Sequence, residues 1–247
     1  MRLPVRFSLL SAVLVLGLSI SVPRAFSQVQ PSVQTSQQPT GNGTYIATDP
    51  LANVKYDNKW DASLGLAYDH MKAGPKLLQG SNLGGLDLSG SYWFSKRWAL
   101  EGSGRGYVGT SGAAPNTFLN GSGNPDSIQG PFVAQYLFVA GPEWLGPHNK
   151  HGALIAHAMF GGAYGKFEQD LRGQSPALVG FYNDQVAPAA IVGGHIDLNR
   201  SARWVFRITP DAVMTRYHIN YGDKATSTDV NFAISVGVEY RFKAKRR

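Results

Sequence analysis

Residues 232–242 of the chain read FAISVGVEYRF and alternate strictly between two kinds of side chain. One face is apolar or aromatic and consists of Phe232, Ile234, Val236, Val238, Tyr240 and Phe242. The other face consists of Ala233, Ser235, Gly237, Glu239 and Arg241. A period of two predicts a β-strand with different surroundings on its two faces. A tilted strand needs about 9–11 residues to cross a bilayer, so this segment is long enough to do so.

The ends of the chain have compositions of their own. A basic start, an apolar stretch and a small-x-small cleavage site predict a secretory signal peptide at 1–27. Residues 28–57 are rich in Gln, Ser, Thr and Pro, which predicts a flexible linker. Residues 58–242 form one predicted domain, and 243–247 form a basic tail.

Strand patterns recur throughout the predicted domain. They cover roughly 60–69, 84–95, 98–108, 131–144, 152–166, 186–198, 203–216 and 231–242. Short turns alternate with long polar loops at 70–83, 109–130, 167–185 and 217–230. This alternation is typical of an up-and-down outer-membrane barrel. We therefore predict an all-β fold, an eight-stranded antiparallel up-and-down transmembrane β-barrel. Its short turns and both termini would be periplasmic.

Aromatic side chains are expected to mark the two membrane interfaces. The predicted girdle on the periplasmic side consists of Trp60, Trp93, Trp98, Trp144, Trp204 and Phe242. Indole rings favour this interface because they combine an apolar body with a polar N–H group. The predicted outer girdle consists of Tyr68, Tyr107, Phe132, Tyr164, Tyr217 and Phe232.

The inward faces of the predicted strands carry charges of both signs. The predicted lumen cluster consists of Glu101, Arg105, Glu143, His195, Asp197, Arg207, Asp211, Glu239 and Arg241. An Arg or Lys facing lipid at the midplane costs about 2–4 kcal/mol, so the favoured register points these groups inward. Side chains just fill the interior of an eight-stranded barrel. The pattern predicts a charge-paired plug, and a narrow pore is the alternative.

The charge distribution and the motifs limit the function. The net charge is +7, and seven basic residues in the signal peptide and the tail account for all of it. The remaining domain is neutral, so we expect no nucleic-acid binding. The sequence has no HExxH pattern and no Gly-x-Ser-x-Gly elbow. We therefore expect no catalytic site, no metal site, no cofactor and no enzymatic activity.

Three stretches carry a resemblance to a known group. They read WLGPHNKHGALIAHAMFGGAYG at 144–165, WVFRITPDAVMTRY at 204–217 and NFAISVGVEYRF at 231–242. Over 58–242 the chain resembles the small eight-stranded outer-membrane β-barrel proteins, the OmpA-type and porin-like family. The resemblance implies a bacterial outer-membrane location, contact with outer-membrane lipid and insertion by the barrel-assembly machinery.

Two functional classes follow from this prediction. The first is a structural or surface-interaction protein that meets an extracellular partner through its four long loops. The second is a narrow porin-like channel for small solutes. A lipid-active barrel enzyme is less favoured, because it would need a polar constellation on the lipid-facing surface. A soluble lipocalin-type barrel would need an apolar lumen.

Overall fold

The computed structural model describes residues 49–75, 77, 79–112, 116–119, 122–218 and 228–242, with the backbone alone for 116–119. The predicted signal peptide (1–27), most of the predicted linker and the predicted basic tail (243–247) lie outside the described residues. Within the described residues, no helix is long and apolar enough to span a membrane.

Eight strands close into a barrel, and two more form a small separate hairpin. The barrel strands are β1 (Trp60–Met71), β2 (Ser81–Trp93), β3 (Trp98–Thr110), β6 (Phe132–His148), β7 (Gly152–Lys166), β8 (Gln185–Asn199), β9 (Trp204–Thr215) and β10 (Asp229–Arg241). The hairpin strands are β4 (Asn116–Leu119) and β5 (Pro125–Ile128). The barrel order is β1-β10-β9-β8-β7-β6-β3-β2, with β2 pairing back to β1 and every pair antiparallel. The predicted fold class is confirmed.

The alternating sequence pattern sets the register of the barrel. In β10, Val236 lies opposite Leu66 of β1 and Ile208 of β9, so apolar side chains meet on the outer face. Some inward positions carry glycine because the neighbouring strand lies too close for a side chain. A Cβ added at Gly141 would lie 2.0 Å from the Ala158 carbonyl oxygen, so this position requires glycine.

The two ends of the barrel differ in their connections. Short turns join β2 to β3, β6 to β7 and β8 to β9, and we call this side the turn end. Side chains stabilise these turns: Ser95 accepts from the Trp98 amide, Asn149 from the His151 amide and Ser201 from the Trp204 amide. The opposite side, the loop end, carries four long connections.

The long connections contain structure that the sequence pattern did not predict. The β4–β5 hairpin lies inside the segment predicted as a loop at 109–130. A short helix, α1 (Pro176–Val179), lies between β7 and β8 and ends at Gly180, whose φ is +87°. The β1–β2 and β7–β8 connections contact each other, because the Tyr182 amide donates to the Ala73 carbonyl over 3.0 Å.

The barrel closes at a seam between its first and last strands. β1 and β10 form a ladder from Asp61↔Arg241 to His70↔Phe232. Gly65 lies opposite Gly237 at the middle of this ladder. Among the described residues, no ion pair joins a side chain of β1 to one of β10.

Candidate functional site

Charged side chains occupy the half of the interior nearest the turn end. All nine residues of the predicted lumen cluster lie there, and each is at most 4% exposed. They are Glu101, Arg105, Glu143, His195, Asp197, Arg207, Asp211, Glu239 and Arg241. Asp61, Asp87 and His157 are buried with them. The barrel therefore brings together groups from all eight of its strands.

Four of these charges form a closed cycle, which we call the ion-pair ring. Arg207 donates to both carboxylate oxygens of Asp197, over 2.8 and 3.0 Å, and it also pairs with Glu239. Arg241 closes the cycle, because it donates to Glu239 Oε1 over 2.7 Å and to Asp197 Oδ2 over 3.1 Å. Two acids face two bases, so the ring is neutral. Bidentate pairing of this kind fixes geometry as well as charge.

Farther from the turn end than the ion-pair ring, two imidazole rings contact the same carboxylate. His157 Nδ1 lies 2.8 Å from Glu101 Oε2, and His195 Nε2 lies 3.3 Å from the same oxygen. The two ring nitrogens are 3.2 Å apart. His157 Nε2 is 2.8 Å from Asp211 Oδ1, and His195 Nδ1 is 2.8 Å from Thr209 Oγ1. We call Glu101, His157 and His195 the histidine cluster; it is the described group whose atoms could hold a metal ion.

A second ion pair lies beside the histidine cluster and spans the interior. Arg105 Nη1 on β3 is 2.6 Å from Asp211 Oδ2 on β9. Its Nε is 3.3 Å from Asp87 Oδ1, and the Ser235 hydroxyl donates to the other Asp87 oxygen over 2.8 Å. Asp211 thus connects a guanidinium group to an imidazole ring. This chain of contacts fixes the orientation of His157.

Aromatic side chains fill the half of the interior nearest the loop end. Phe167, Tyr182 and Tyr217 pack against one another with ring centroids 5.1–5.6 Å apart. The Gln135 amide donates to the Tyr217 hydroxyl over 3.0 Å, and burial raises the pKa of this phenol. We call these three rings the aromatic plug. The predicted outer girdle is wrong for Tyr107 and Tyr217, because both are fully buried in the interior.

The outer surface is apolar and has aromatic rings at both ends. Trp60, Trp98, Trp144, Trp204 and Phe242 of the predicted girdle are exposed at the turn end. Tyr68, Tyr136, Tyr164 and Phe232 are exposed nearer the loop end. From Trp60 to Tyr68 the chain covers nine residues, and a tilted strand needs about 9–11 to cross hydrocarbon.

Trp93 departs from the predicted girdle. Its indole points into the interior and donates to Asp61 Oδ2 over 2.6 Å. It also packs against the small apolar cluster of Leu145, Ala153 and Ile155 at the turn end. The physical reason is strand parity, since Tyr92 faces outward and its neighbour must face inward.

A closed barrel with an apolar outer belt and aromatic rings at both rims has the features typical of barrels that span an outer membrane. The chain has the fold of a small eight-stranded outer-membrane β-barrel. Comparison with protein-family models finds no match, and comparison with curated protein sequences finds none either.

The fold is similar to several solved outer-membrane barrels. Ail, the attachment invasion locus protein of Yersinia pestis, is 18% identical, with a TM-score of 0.42 over 75% of this chain and 99% of that chain. OprG from Pseudomonas aeruginosa is 17% identical, with a TM-score of 0.46 over 76% and 97%. Neisserial surface protein A is 13% identical, with a TM-score of 0.44 over 74% and 97%.

The segment before β1 covers the turn end of the barrel. The Tyr56 hydroxyl donates to the Asn149 carbonyl over 3.0 Å and accepts from the Asn199 amide over 2.8 Å. The Arg241 guanidinium lies 4.6 Å from the centre of the Tyr56 ring. The Leu51 amide, with Lys150 beside it, lowers the pKa of Asp49. The predicted linker at 28–57 therefore differs from the structure in its last part, because 49–57 contact the barrel.

Two small cavities lie in the charged half of the interior. One cavity of about 10 Å³ lies between Tyr56, Trp93 and the ion-pair ring. Another of about 10 Å³ lies beside Asp87, Arg207 and Ser235. A cavity needs roughly 10–15 Å³ to hold one water molecule. Each of these sites therefore has room for about one water.

Proposed function

We propose that the protein is a non-conducting outer-membrane barrel that acts at the cell surface through its long loops, rather than by transport or catalysis. The observation that carries this proposal is the filled interior. Salt-bridged groups occupy one half and packed aromatic rings occupy the other. A solute would have to displace both layers to cross.

The ion-pair ring and the aromatic plug would oppose transport for different reasons. Breaking the ring leaves a buried charge without its partner, which costs about 3–5 kcal/mol. Opening the plug separates three packed rings and breaks the hydrogen bond from Gln135 to Tyr217. A polar solute therefore meets an apolar layer, and an apolar solute meets a charged one.

The four long connections favour a surface role. In this proposal they lie outside the cell, and the turn end with both termini lies in the periplasm. The segments 72–80, 111–131, 167–184 and 216–228 carry five acidic and five basic residues in total. A neutral surface does not attract partners over long distances, so binding should depend weakly on ionic strength. Outer-membrane lipid and the barrel-assembly machinery would be its other partners.

Conductance of the purified barrel in planar bilayers tests the closed interior. We expect no steady open state for the unmodified protein. Tyr217→Ala should produce a measurable leak, because it removes a ring from the aromatic plug. Tyr164→Ala is the matched control, because this ring is exposed on the outer surface and its loss should leave the interior closed.

The alternative is a narrow channel, and the water-sized cavity beside Arg207 is the observation that favours it. A large, steady conductance in the unmodified protein would establish the channel and overturn the closed interior.

The surface role needs a separate test. Cells that display the barrel without the β4–β5 hairpin should lose adhesion to host-cell monolayers while keeping normal amounts of folded barrel. Unchanged adhesion would remove this loop from the proposal.

A further inference from the structure

We propose that the barrel interior binds one zinc ion at the histidine cluster. His157 Nδ1, His195 Nε2 and Glu101 Oε2 would be three of the ligands, and Glu143 would supply the fourth. The two histidines lie on β7 and β8, and the carboxylates lie on β3 and β6. No short-spacing motif joins them, so only closure of the barrel brings them together.

The distances between the ligand atoms suit a tetrahedral ion. Zinc lies about 2.0–2.2 Å from nitrogen and oxygen ligands in four-coordinate sites. The edges of such a tetrahedron are about 3.3 Å long. The three edges in the histidine cluster measure 2.8, 3.2 and 3.3 Å. An ion can therefore sit between these atoms with only small movements of the side chains.

The outer nitrogens of both rings are already occupied. Asp211 Oδ1 lies 2.8 Å from His157 Nε2, and an ionised carboxylate can only accept. With a metal ion bound at Nδ1, the ring proton would be on Nε2, where Asp211 accepts it. Thr209 holds the outer nitrogen of His195 over 2.8 Å. Metal-binding histidines nearly always have such a partner on the second nitrogen.

Glu143 is the independent observation that points to a cation. Its side chain is fully buried, and its Oε1 lies 4.0 Å from His195 Nε2. Neither carboxylate oxygen has a well-aligned hydrogen-bond partner, although the Ser91 hydroxyl lies close by. No described guanidinium group forms an ion pair with it. A movement of less than about 1 Å would bring Oε1 to tetrahedral distance from His195 Nε2.

The charge balance of the interior also favours a bound cation. Eight buried carboxyl side chains face three guanidinium groups and two imidazole rings in the described part of the barrel. The acids are Asp61, Asp69, Asp87, Glu101, Glu143, Asp197, Asp211 and Glu239. Acids remain in excess even when both rings are charged. A divalent ion beside Glu101 and Glu143 would offset two of these charges where two carboxylates are close.

The donor set suits zinc, and four protein ligands would favour a structural role. Two imidazoles and two carboxylates supply four protein ligands, which is the closed coordination of structural zinc sites. Copper would bind the same nitrogen donors more tightly, so the test must supply zinc alone. The bound ion would link β3, β6, β7 and β8 across the interior. The competing explanation is a network of protons, with His157 doubly protonated between Glu101 and Asp211.

Metal content after refolding tests the proposal. The mature barrel is refolded from urea into detergent with zinc, and free metal is removed by gel filtration with a weak chelator. We expect about one zinc per folded barrel, measured by elemental mass spectrometry. His195→Gln and Glu101→Gln should each lower this to roughly a tenth or less. His151→Gln is the control, because this histidine is exposed in a short turn, and its zinc content should not change.

A second readout keeps the proposal falsifiable if the ligand variants do not fold. The unmodified barrel refolded with cobalt should show the visible absorption bands of a tetrahedral ion. Asp211→Asn should weaken zinc binding about 10–100-fold, because it alters the partner of His157 rather than a ligand. A folded barrel without zinc would establish the proton network instead. Equal zinc loss in His151→Gln, or an octahedral cobalt spectrum, would also overturn the proposal.

Discussion

Removing one member of the ion-pair ring should destabilise the barrel strongly. Arg207 is 3% exposed and pairs with Asp197 and Glu239. In Arg207→Ala both carboxylates keep Arg241, so two acids share one base in a buried setting. Breaking a buried ion pair costs about 3–5 kcal/mol. Because Arg241 still contacts both carboxylates, we expect Arg207→Ala to lose stability at the lower end of this range, about 3 kcal/mol.

The double variant Asp197→Ala/Arg207→Ala isolates the ionic part of this effect. It leaves Arg241 paired with Glu239 and restores a neutral ring. Its loss of stability should therefore be smaller than the sum of the two single losses, by roughly 0.5–3 kcal/mol. The exposed Arg203→Ala is the matched control and should change the free energy of unfolding by less than about 0.5 kcal/mol.

Urea titration in lipid vesicles provides the measurement. Folded and unfolded fractions can be read from tryptophan fluorescence, because four indoles lie on the outer surface and leave lipid on unfolding. Equal stabilities for Arg207→Ala and Arg203→Ala would refute the ion-pair ring as a stabilising feature. Strict additivity in the double variant would show that the two residues act through packing alone.

Three further predictions concern the wall of the barrel. Val236→Arg should lower the free energy of unfolding by about 2–4 kcal/mol in vesicle titrations, because it places a charge in lipid. Ser235→Arg should instead act through interior packing. Normal folding of Val236→Arg together with failure of Ser235→Arg would mean that the register is shifted by one residue. Gly141→Ala should reduce the folded yield, because its Cβ would lie 2.0 Å from the Ala158 oxygen, whereas Gly102→Ala has open space and should fold normally. Unboiled samples should migrate differently from boiled ones in detergent gels, because a closed barrel has no free edges; identical migration would contradict closure.

The sequence pattern correctly predicts the strands and which face of each strand carries the interior charges. Alternation in β10 assigns Glu239 and Arg241 to one face and Val236 to the other, and each lies where its parity requires. Parity is a local property, so it can be read without knowing the partners. The pairing of Arg207 with Asp197 follows from the β8–β9 register, which the turn length alone does not determine.

The aromatic plug could not be read from the sequence for a physical reason. Phe167 and Tyr182 lie in a connection without periodicity, and they enter the interior only because the loop folds back. Tyr217 follows β9 by two residues and keeps its inward parity, although its position suggested an interface ring. Trp93 shows the same conflict at the turn end, where parity outweighs the general preference of indole for interfaces. When strand parity and the interface preference of aromatic residues disagree, strand parity decides which way the side chain points.

The seam between β1 and β10 bears on the order in which the barrel forms. The acids and bases of the ion-pair ring all come from β8, β9 and β10, so the last three strands can neutralise one another before the first strand arrives. Asp61 of β1 is held by Asn58 and Trp93 on its own side of the seam. Joining the two strands therefore adds their backbone hydrogen bonds and the hydrogen bond from Ser235 to Asp87, and the ion-pair ring keeps its partners. An assembly factor that holds β1 and β10 apart would interrupt a ladder centred on two glycines and leave the ion-pair ring intact.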